Sequence, residues 1–414
     1  MVALSIGHAT YDIMVPLENY PIENGKYYLK EKIDSSGGGA SNVAFLLAKW
    51  NVETYFSGVV GYDDFGSFIK KDMEASGIKT SFLETSYDKK TSTSFILING
   101  TNHTRTIFNI ESEEFHLKKY EYDIHPDIVY MDGYEYSAST TAMNKYREAI
   151  TVLDASSATK ELIALARDAK YIIGSIEFAE GIAGMKIDFN NPVTLLTVYK
   201  RVKDRFPNNE IIITLKGYGA LYHLNGEIKQ MPPLNVVEID RTGVGDIFRG
   251  AFLYAMGSKY DLETSIRLAN ITASLSTTKM GVKDSIPTLS EVIQNYESRF
   301  GKLQVIVAEP IPQTETPIQN SEPKEEPQEV QQPSQENQIF QTMAISPDEI
   351  KAASEGVSNQ NPITPALEPP TNPTIPNQMQ AAALMQLQNQ TMNIPINQNI
   401  SQPMPPQPPK NILK

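Results

Sequence analysis

Apolar runs of strand length alternate with stretches of helical periodicity through the first 300 residues. "VALSIG" (2–7) is a continuous apolar run bounded by glycine, the pattern of a strand buried on both faces. "GASNVAFLLAKW" (39–50) instead places Val43, Leu46, Leu47 and Trp50 on one helical stripe. "VETYFSGVVG" (52–61) predicts a strand and "DFGSFIKKDMEASG" (64–77) a helix stopped by Gly77. Further strands are predicted at "DIVYMDG" (127–133), "AITVLDAS" (149–156), "YIIGS" (171–175) and "EIIITLKG" (210–217), with helical stretches such as "TKELIALARDA" between them. This alternation predicts an α/β fold: a doubly wound, mostly parallel sheet with helices on both faces. "SIPTLSEVIQNYESRFGK" (285–302) reads as a last helix, and the globular part is expected to end near residue 302.

Two segments break the rhythm. "DIMVPLENYPIENGKYYLKEKID" (12–34) and "TSTSFILINGTNHTRTIF" (91–108) alternate with period two and carry turn residues, without helical crossovers between their halves. They predict antiparallel strands in a small sheet, either an edge extension of the large sheet or a lid over it.

Composition separates the last hundred residues from the rest. Residues 301–414 hold 19 of the 27 prolines with abundant Gln and Asn, too few apolar side chains to offset chain entropy, so a disordered tail over 303–414 is expected. The formal charge is −13, and the tail carries 5 Lys+Arg against 11 Asp+Glu. Neither part is basic, which argues against a nucleic-acid or anionic-membrane surface. With no cysteine, disulfides and thiol catalysis are excluded. The start of the chain has no charged region followed by an apolar one, and no run reaches the ~18 apolar residues of a membrane span, so a cytoplasmic protein is expected. Five scattered histidines, His8 and His103 among them, lack metal-ligand spacing.

The chemistry concentrates in "IDRTGVGDIFRGAFLYAM" (239–256). A glycine-rich turn opening a helix turns several backbone N–H groups toward an anion, aided by the positive end of the helix dipole. Gly243 and Gly245 supply unusual backbone angles and room for a phosphate. Asp246 would repel that phosphate and is a poor mere cap. It makes sense facing a hydroxyl whose proton must leave as oxygen attacks phosphorus, the work of a general base in phosphoryl transfer. Asp is also a common helix cap, and G-x-G-D alone does not distinguish the two. No Walker-type G-x-x-x-x-G-K-[ST] occurs.

Four blocks in order carry a family resemblance. "IDRTGVGDIFRGAFL" resembles the D-[ST]-T-G-A-G-D-x-F-x-G-A-[FL] signature of the ribokinase-like (PfkB) carbohydrate kinases. "SGGGASNVAFLLAKWNVETYFSGVVGYDDFG" (36–66) resembles their N-terminal G-G-x-x-x-N-x-A signature, "IITLKGYGALY" their T-L-G-x-x-G, and "ANITASLSTTKMGVKDSIPTLSEV" their C-terminal block. The resemblance covers nearly all of residues 1–302 and implies an ATP- and Mg2+-dependent kinase domain there, with 12–34 and 91–108 as a water-excluding lid. It implies Asp246 as catalytic base and the backbone around Thr242, Gly243, Val244 and Gly245 as the anion hole. Asp12, Gly37, Gly38 and Asn42 would bind the sugar, with Arg105 on the lid side. Thr214, Gly219 and Asn270 would lie on the ATP side, with Ser175 and Glu177 standing for the family's magnesium-organising N-x-x-E. Asp240, Gly281 and Ser285 match positions that line a monovalent-cation (K+) site in some members. Departures are Arg241 for Ser or Thr, Val244 for Ala, and Lys216 where Gly is frequent.

The resemblance further implies a small sugar-like substrate, with a free sugar favoured because the lid lacks a cation cluster, and a homodimer through the lid. A nucleoside kinase of the same fold, and a non-catalytic sugar- or nucleotide-binding module, stand as alternatives. In the tail, "ISPDEIKAASEG" (345–356), with Ser346, Pro347 and Glu349 in a capping-box pattern, and "NQMQAAALMQLQNQTM" (377–392) read as short helix-prone islands. Such islands either dock on a protein partner or form transiently in a solubilising tail.

Overall fold

A computed structural model describes residues 1–304 apart from residue 103 and residues 111–114, so the readings made for the tail lie outside the described residues. The strands are β1 Val2–Ile6, β2 Thr10–Leu17, β3 Ile33–Gly37, β4 Glu53–Gly61, β5 Lys79–Ser86, β6 Thr93–Asn99, β7 Arg105–Ile110, β8 Ile128–Met131, β9 Ile150–Ala155, β10 Tyr171–Gly174, β11 Glu210–Thr214, β12 Ala220–Leu224 and β13 Glu227–Met231. The helices are α1 Gly39–Lys49, α2 Asp64–Ala75, α3 Tyr136–Lys145, α4 Lys160–Ala166, α5 Ile176–Ala183, α6 Pro192–Arg205, α7 Val244–Gly257, α8 Leu262–Ser276, α9 Val282–Ser285 and α10 Leu289–Phe300.

Nine strands form one sheet in the order β13-β12-β11-β10-β9-β8-β1-β4-β5. The seven from β11 to β5 run parallel, and β12 and β13 extend one edge as an antiparallel hairpin. Alternate residues of each strand serve opposite layers, as the pleat requires. Ala3, Phe56, Tyr130, Val152, Ile173 and Ile212 pack with α1, α7, α8 and α10. Leu4, Ile6, Val129, Met131, Leu153 and Ile213 face the other layer, built from α3, α4, α5 and α6. That double burial is why these strands read as continuous apolar runs.

From β1 the chain builds outward through β4 and β5 on one side and through β8 to β11 on the other. The order therefore reverses between β1 and β8, and a crevice opens there beyond the carboxyl ends of the strands, the ligand position of open α/β sheets.

The two period-two segments form a separate four-stranded sheet, β3-β2-β6-β7. Its outer pairs are antiparallel, but β2 and β6 pair in parallel, a long-range join no local pattern announces. Met14, Ile96 and Ile98 form its own small core, closed by Ile33 and Met280. The expected last helix is divided: α9 stops before Pro287, and α10 restarts at Thr288 with a full capping box to Glu291. Among the described residues no helix is long and apolar enough to cross a membrane.

Trp50, the only tryptophan, is buried between these helices, donating Nε1–H to the Pro287 carbonyl at 3.0 Å with its ring edge-on to Tyr254. Phe252, fully buried on α7, meets Tyr171 edge-to-face with centroids 5.3 Å apart. Phe252→Ala should destabilise the protein by about 3–5 kcal/mol, seen as a lower urea midpoint at unchanged slope when Trp50 fluorescence is followed; an unmoved midpoint would contradict this packing.

Candidate active site

Two helices begin next to each other at the crevice, and neither has a side-chain cap. α1 starts after Gly38, at φ +95°, where a Cβ would fall 2.4 Å from the His8 carbonyl oxygen. α7 starts after Gly243, at φ +68°, where a Cβ would meet Val282 at 2.5 Å. Only glycine tolerates both the backbone angle and the space. By contrast α2, α4, α5, α6, α8 and α10 are each capped by the Asp, Thr, Ser or Asn before them. Without a side-chain cap α7 leaves its first-turn amides for another acceptor, whereas in α1 the Asp132 carboxylate takes the Ala40 amide.

Asp246 stands in the first turn of α7, and its Oδ2 accepts the Asn42 side-chain N–H from α1 at 2.8 Å. The predicted sugar-side residues gather here. Asp12, buried on β2, accepts the Thr10 hydroxyl at 2.6 Å. A Cβ on Gly37 would lie 1.9 Å from an Asp12 carboxylate oxygen, so that glycine makes room for the acid. Burial raises the Asp12 carboxyl above its usual range against the pull of its Thr10 and Ser94 hydrogen bonds, and the Asp246 charge adds to the rise.

The loop before α7 is organised around Asp240. Asp240 is buried; its Oδ1 accepts both the amide (2.8 Å) and the hydroxyl (2.6 Å) of Thr242, and its Oδ2 accepts the Gly281 amide at 2.9 Å. The Thr242 amide is therefore engaged by Asp240 rather than free for the expected anion hole. Ser285 donates its hydroxyl to the Val282 carbonyl at 2.8 Å and is not joined to Asp240, although Gly281 is. Arg241 turns to Glu238, with Nε 2.7 Å from its carboxylate. Arg105 reaches across from β7 and donates to the Arg241 carbonyl at 2.7 Å, so it latches the small sheet to this loop.

The nucleotide-side residues are scattered more widely. Ser175 caps α5 and donates to the Ser156 carbonyl, and Thr214 donates to the Gly174 carbonyl at 3.2 Å. Glu177 pairs with Lys216 at 2.6 Å. Lys216 holds φ +54°, consistent with a position where glycine is frequent. Gly219, at φ +84° with Met231 O at 1.9 Å from a built Cβ, is required by the β11–β12 turn, and Asn270 ties α8 to the Pro232 carbonyl. Their hydrogen bonds run to Ser156, Gly174, Lys216 and Pro232, set apart from the Asn42–Asp246 pair.

Several groups at the crevice were not anticipated. Asp132, just past β8, accepts the amides of His8, Ala40 and Tyr134 at 2.8, 3.1 and 3.0 Å. Burial outweighs those donors, and its carboxyl is pushed up to about 6. Asp154, at the end of β9, is raised by burial to about 7, against the opposing pull of Arg249. It accepts the Tyr130 hydroxyl at 3.2 Å and forms an ion pair with Arg249 at 2.8 Å. His8 stacks on Tyr134 at 4.0 Å, and burial lowers its imidazole to about 4. His8, Asp132, Tyr134 and Asp154, with Ser156 and Thr159, line a cavity of about 440 Å3. A larger groove, about 720 Å3 around Tyr55 and Lys79, lies at the opposite edge of the sheet and holds none of the predicted residues. The available signal was an acid directly after an apolar strand, in "YMDG" and "VLDAS", and an Arg inside an apolar helix, in "IFRGAF".

A doubly wound sheet, a small second sheet beside its switch point and an acid at a glycine-opened helix define a group-transfer enzyme of the ribokinase-like architecture. The profile described as "pfkB family carbohydrate kinase" matches residues 3–289, and the chain belongs to that family. Similar proteins include an ATP-dependent ribose-1-phosphate kinase of Halopiger xanaduensis, 22% identical over 72% of this chain and 98% of that protein. A ribokinase of Staphylococcus aureus is 25% identical over 70% and 97%. Among solved structures, Arabidopsis thaliana ribokinase complexed with ribose and ATP superposes with a TM-score of 0.57 at 19% identity, over 71% of this chain and 97% of that one. The protein is a carbohydrate kinase, and the reading as a non-catalytic module is set aside.

Beside Asp132, Glu135 is 3% exposed, accepts the Leu117 amide at 3.0 Å and is raised by burial from 4.5 to about 7. The folded state then holds this proton more tightly than the unfolded chain, so stability falls as pH rises from about 4.5 through about 7. Glu135→Gln should flatten that decline and raise the melting temperature at pH 8 by a few degrees, measured across pH 4.5–8; an unaltered pH profile would contradict it.

Proposed function

We propose that this kinase moves the γ-phosphate of ATP to a hydroxyl of a neutral, unphosphorylated sugar, with Asp246 as general base. The observation carrying this reading is the Asp246 carboxylate, bonded to Asn42 in the uncapped first turn of α7, beside the uncapped start of α1. Asp246 takes the hydroxyl proton, the hydroxyl oxygen bonds to the γ-phosphorus, and the bond to the β,γ-bridging oxygen breaks to release ADP. The amides of Gly243, Val244 and Gly245 supply donors where charge spreads over the equatorial oxygens. The Arabidopsis ribokinase complexed with ribose and ATP supports ATP as donor.

Neutrality of the acceptor follows from the charges. Asp12, Asp132 and Asp154 are all electrostatically coupled to Asp246. Arg249 is the only buried Lys or Arg among the described residues and faces carboxylates, while Arg105 and Arg241 are engaged on the loop. A phosphorylated or acidic acceptor would meet repulsion; vicinal hydroxyls would meet acceptors.

Magnesium, when bound with ATP, neutralises phosphate charge. Among the described residues no group of three or more His, Cys, Asp or Glu could hold a metal, which fits an ion carried mainly by the phosphates, with Glu177 the residue to contact its water. Asp240 accepts the Thr242 and Gly281 N–H groups, and its Oδ2, with that single donor, keeps a lone pair that would meet a monovalent cation.

The small sheet is proposed to pair with that of a second copy. β7 is exposed along its whole length, and Phe108 and Ile110, 55% and 60% exposed, share a face with Phe95, the partner of Phe108 across the strands. Edge backbone and apolar side chains together fit another copy of the same strand.

ADP release should be followed with MgATP against sugars, sugar acids, ribose 1-phosphate and nucleosides. Neutral sugars should be turned over, and Asp246→Asn should lose about 10²–10⁴-fold in kcat. Preference for a phosphorylated acceptor would overturn the substrate class, and an active Asp246→Asn the base. By sedimentation the wild type should run as a dimer and Phe108→Glu/Ile110→Glu as a monomer with its melting temperature kept; a monomeric wild type would reject the pairing.

A further inference from the structure

Arg249 lies one turn beyond Asp246 on α7, in a run of the helix that otherwise buries Ile247, Phe248, Ala251, Phe252 and Leu253. At 5% exposure it is the one buried cation among the described residues. Leaving a guanidinium in such a place is unfavourable unless carboxylates meet it. Two do, from different elements. Nη2 is 2.8 Å from Asp154 Oδ1 at the end of β9, and Nη1 is 3.8 Å from Asp246 Oδ1. The same Nη1 would sit 2.5 Å from a Cβ on Gly245, so the guanidinium lies directly against the turn that opens α7.

The arrangement holds Asp246 from two sides. Asn42 donates to Oδ2 at 2.8 Å, while Arg249 faces Oδ1 at ion-pair distance without a close hydrogen bond. Oδ1 therefore keeps a lone pair with which to take a proton, in the field of a fixed positive charge.

We propose that Arg249, held in place by Asp154, is a positioning residue that orients the Asp246 carboxylate and sets a buried positive charge behind the Gly243–Gly245 turn. This rests on the reading of Asp246 as the base. Arg249 does not touch the acceptor, so it should govern turnover rather than affinity.

A purely structural ion pair predicts something different. Replacing such a pair by apolar side chains is often neutral or stabilising, whereas removing one partner is not. The full-length protein would be compared as wild type, Asp246→Asn, Arg249→Met, Arg249→Lys and the double variant Arg249→Met/Asp154→Leu. MgATP and the neutral sugars of the panel, D-ribose first, would be the substrates, with melting temperatures recorded. Arg249→Met should lose about 10–100-fold in kcat, with both KM values within about threefold. Arg249→Lys should restore part of that loss. The double variant should regain the melting temperature without regaining kcat. If its kcat returns with its stability, or if Arg249→Met keeps kcat within about twofold, the proposal is overturned. Asp246→Asn separates the two failures: an active Asp246→Asn removes the base and this inference together, whereas an inactive Asp246→Asn beside an active Arg249→Met removes only the role of Arg249.

Discussion

The hydrogen bond from Asn42 to Asp246 joins the first turns of α1 and α7, two helices separated by about 200 residues of chain, and the site is arranged around it. It forms because both helices begin at glycines whose backbone angles other residues rarely adopt, and because both pack on the same face of the sheet. Their apolar sides interlock through Val43, Leu46, Ile247, Phe248 and Ala251 in one core. Burial on that side fixes where the helices start on the other. The polar contact is thus held in place by apolar packing, which is the stronger contribution to stability.

That placement gathers negative charge at the switch point of the sheet. Asp12 comes from the small sheet, Asp132 and Asp154 from strand ends, and Asp246 from α7. Burying carboxylates together is unfavourable, and the raised Asp132 and Asp154 carboxyls record it. The structure answers with backbone amides around Asp132 and with the Arg249 guanidinium between Asp154 and Asp246.

The small sheet connects to this site by three routes. Asp12 lies on β2, Gly37 and Gly38 continue from β3 into α1, and Arg105 on β7 reaches the Arg241 carbonyl. The parallel β2–β6 pair draws the two segments into one unit. Any motion of that sheet would carry Asp12 and Arg105 with it.

Much of this was legible in the chain. Doubly buried strands announce themselves as apolar runs, and alternation with helical stripes requires a parallel sheet, because both follow from local periodicity. Asp246 and Gly243 stood out in the local pattern of a glycine-rich turn opening a helix, whereas Asn42, Gly37 and Gly38 were singled out only through the family resemblance. The parallel β2–β6 join and the capture of the Thr242 amide by Asp240 were not legible, since each depends on a partner far away in sequence or on a competing acceptor. Asp132, Asp154 and Arg249 look in sequence like an ordinary loop acid, a strand-end acid and an exposed helical arginine. Only the tertiary structure decided that they share one buried crevice, because charge acquires its meaning from what is brought beside it and from how much water is left.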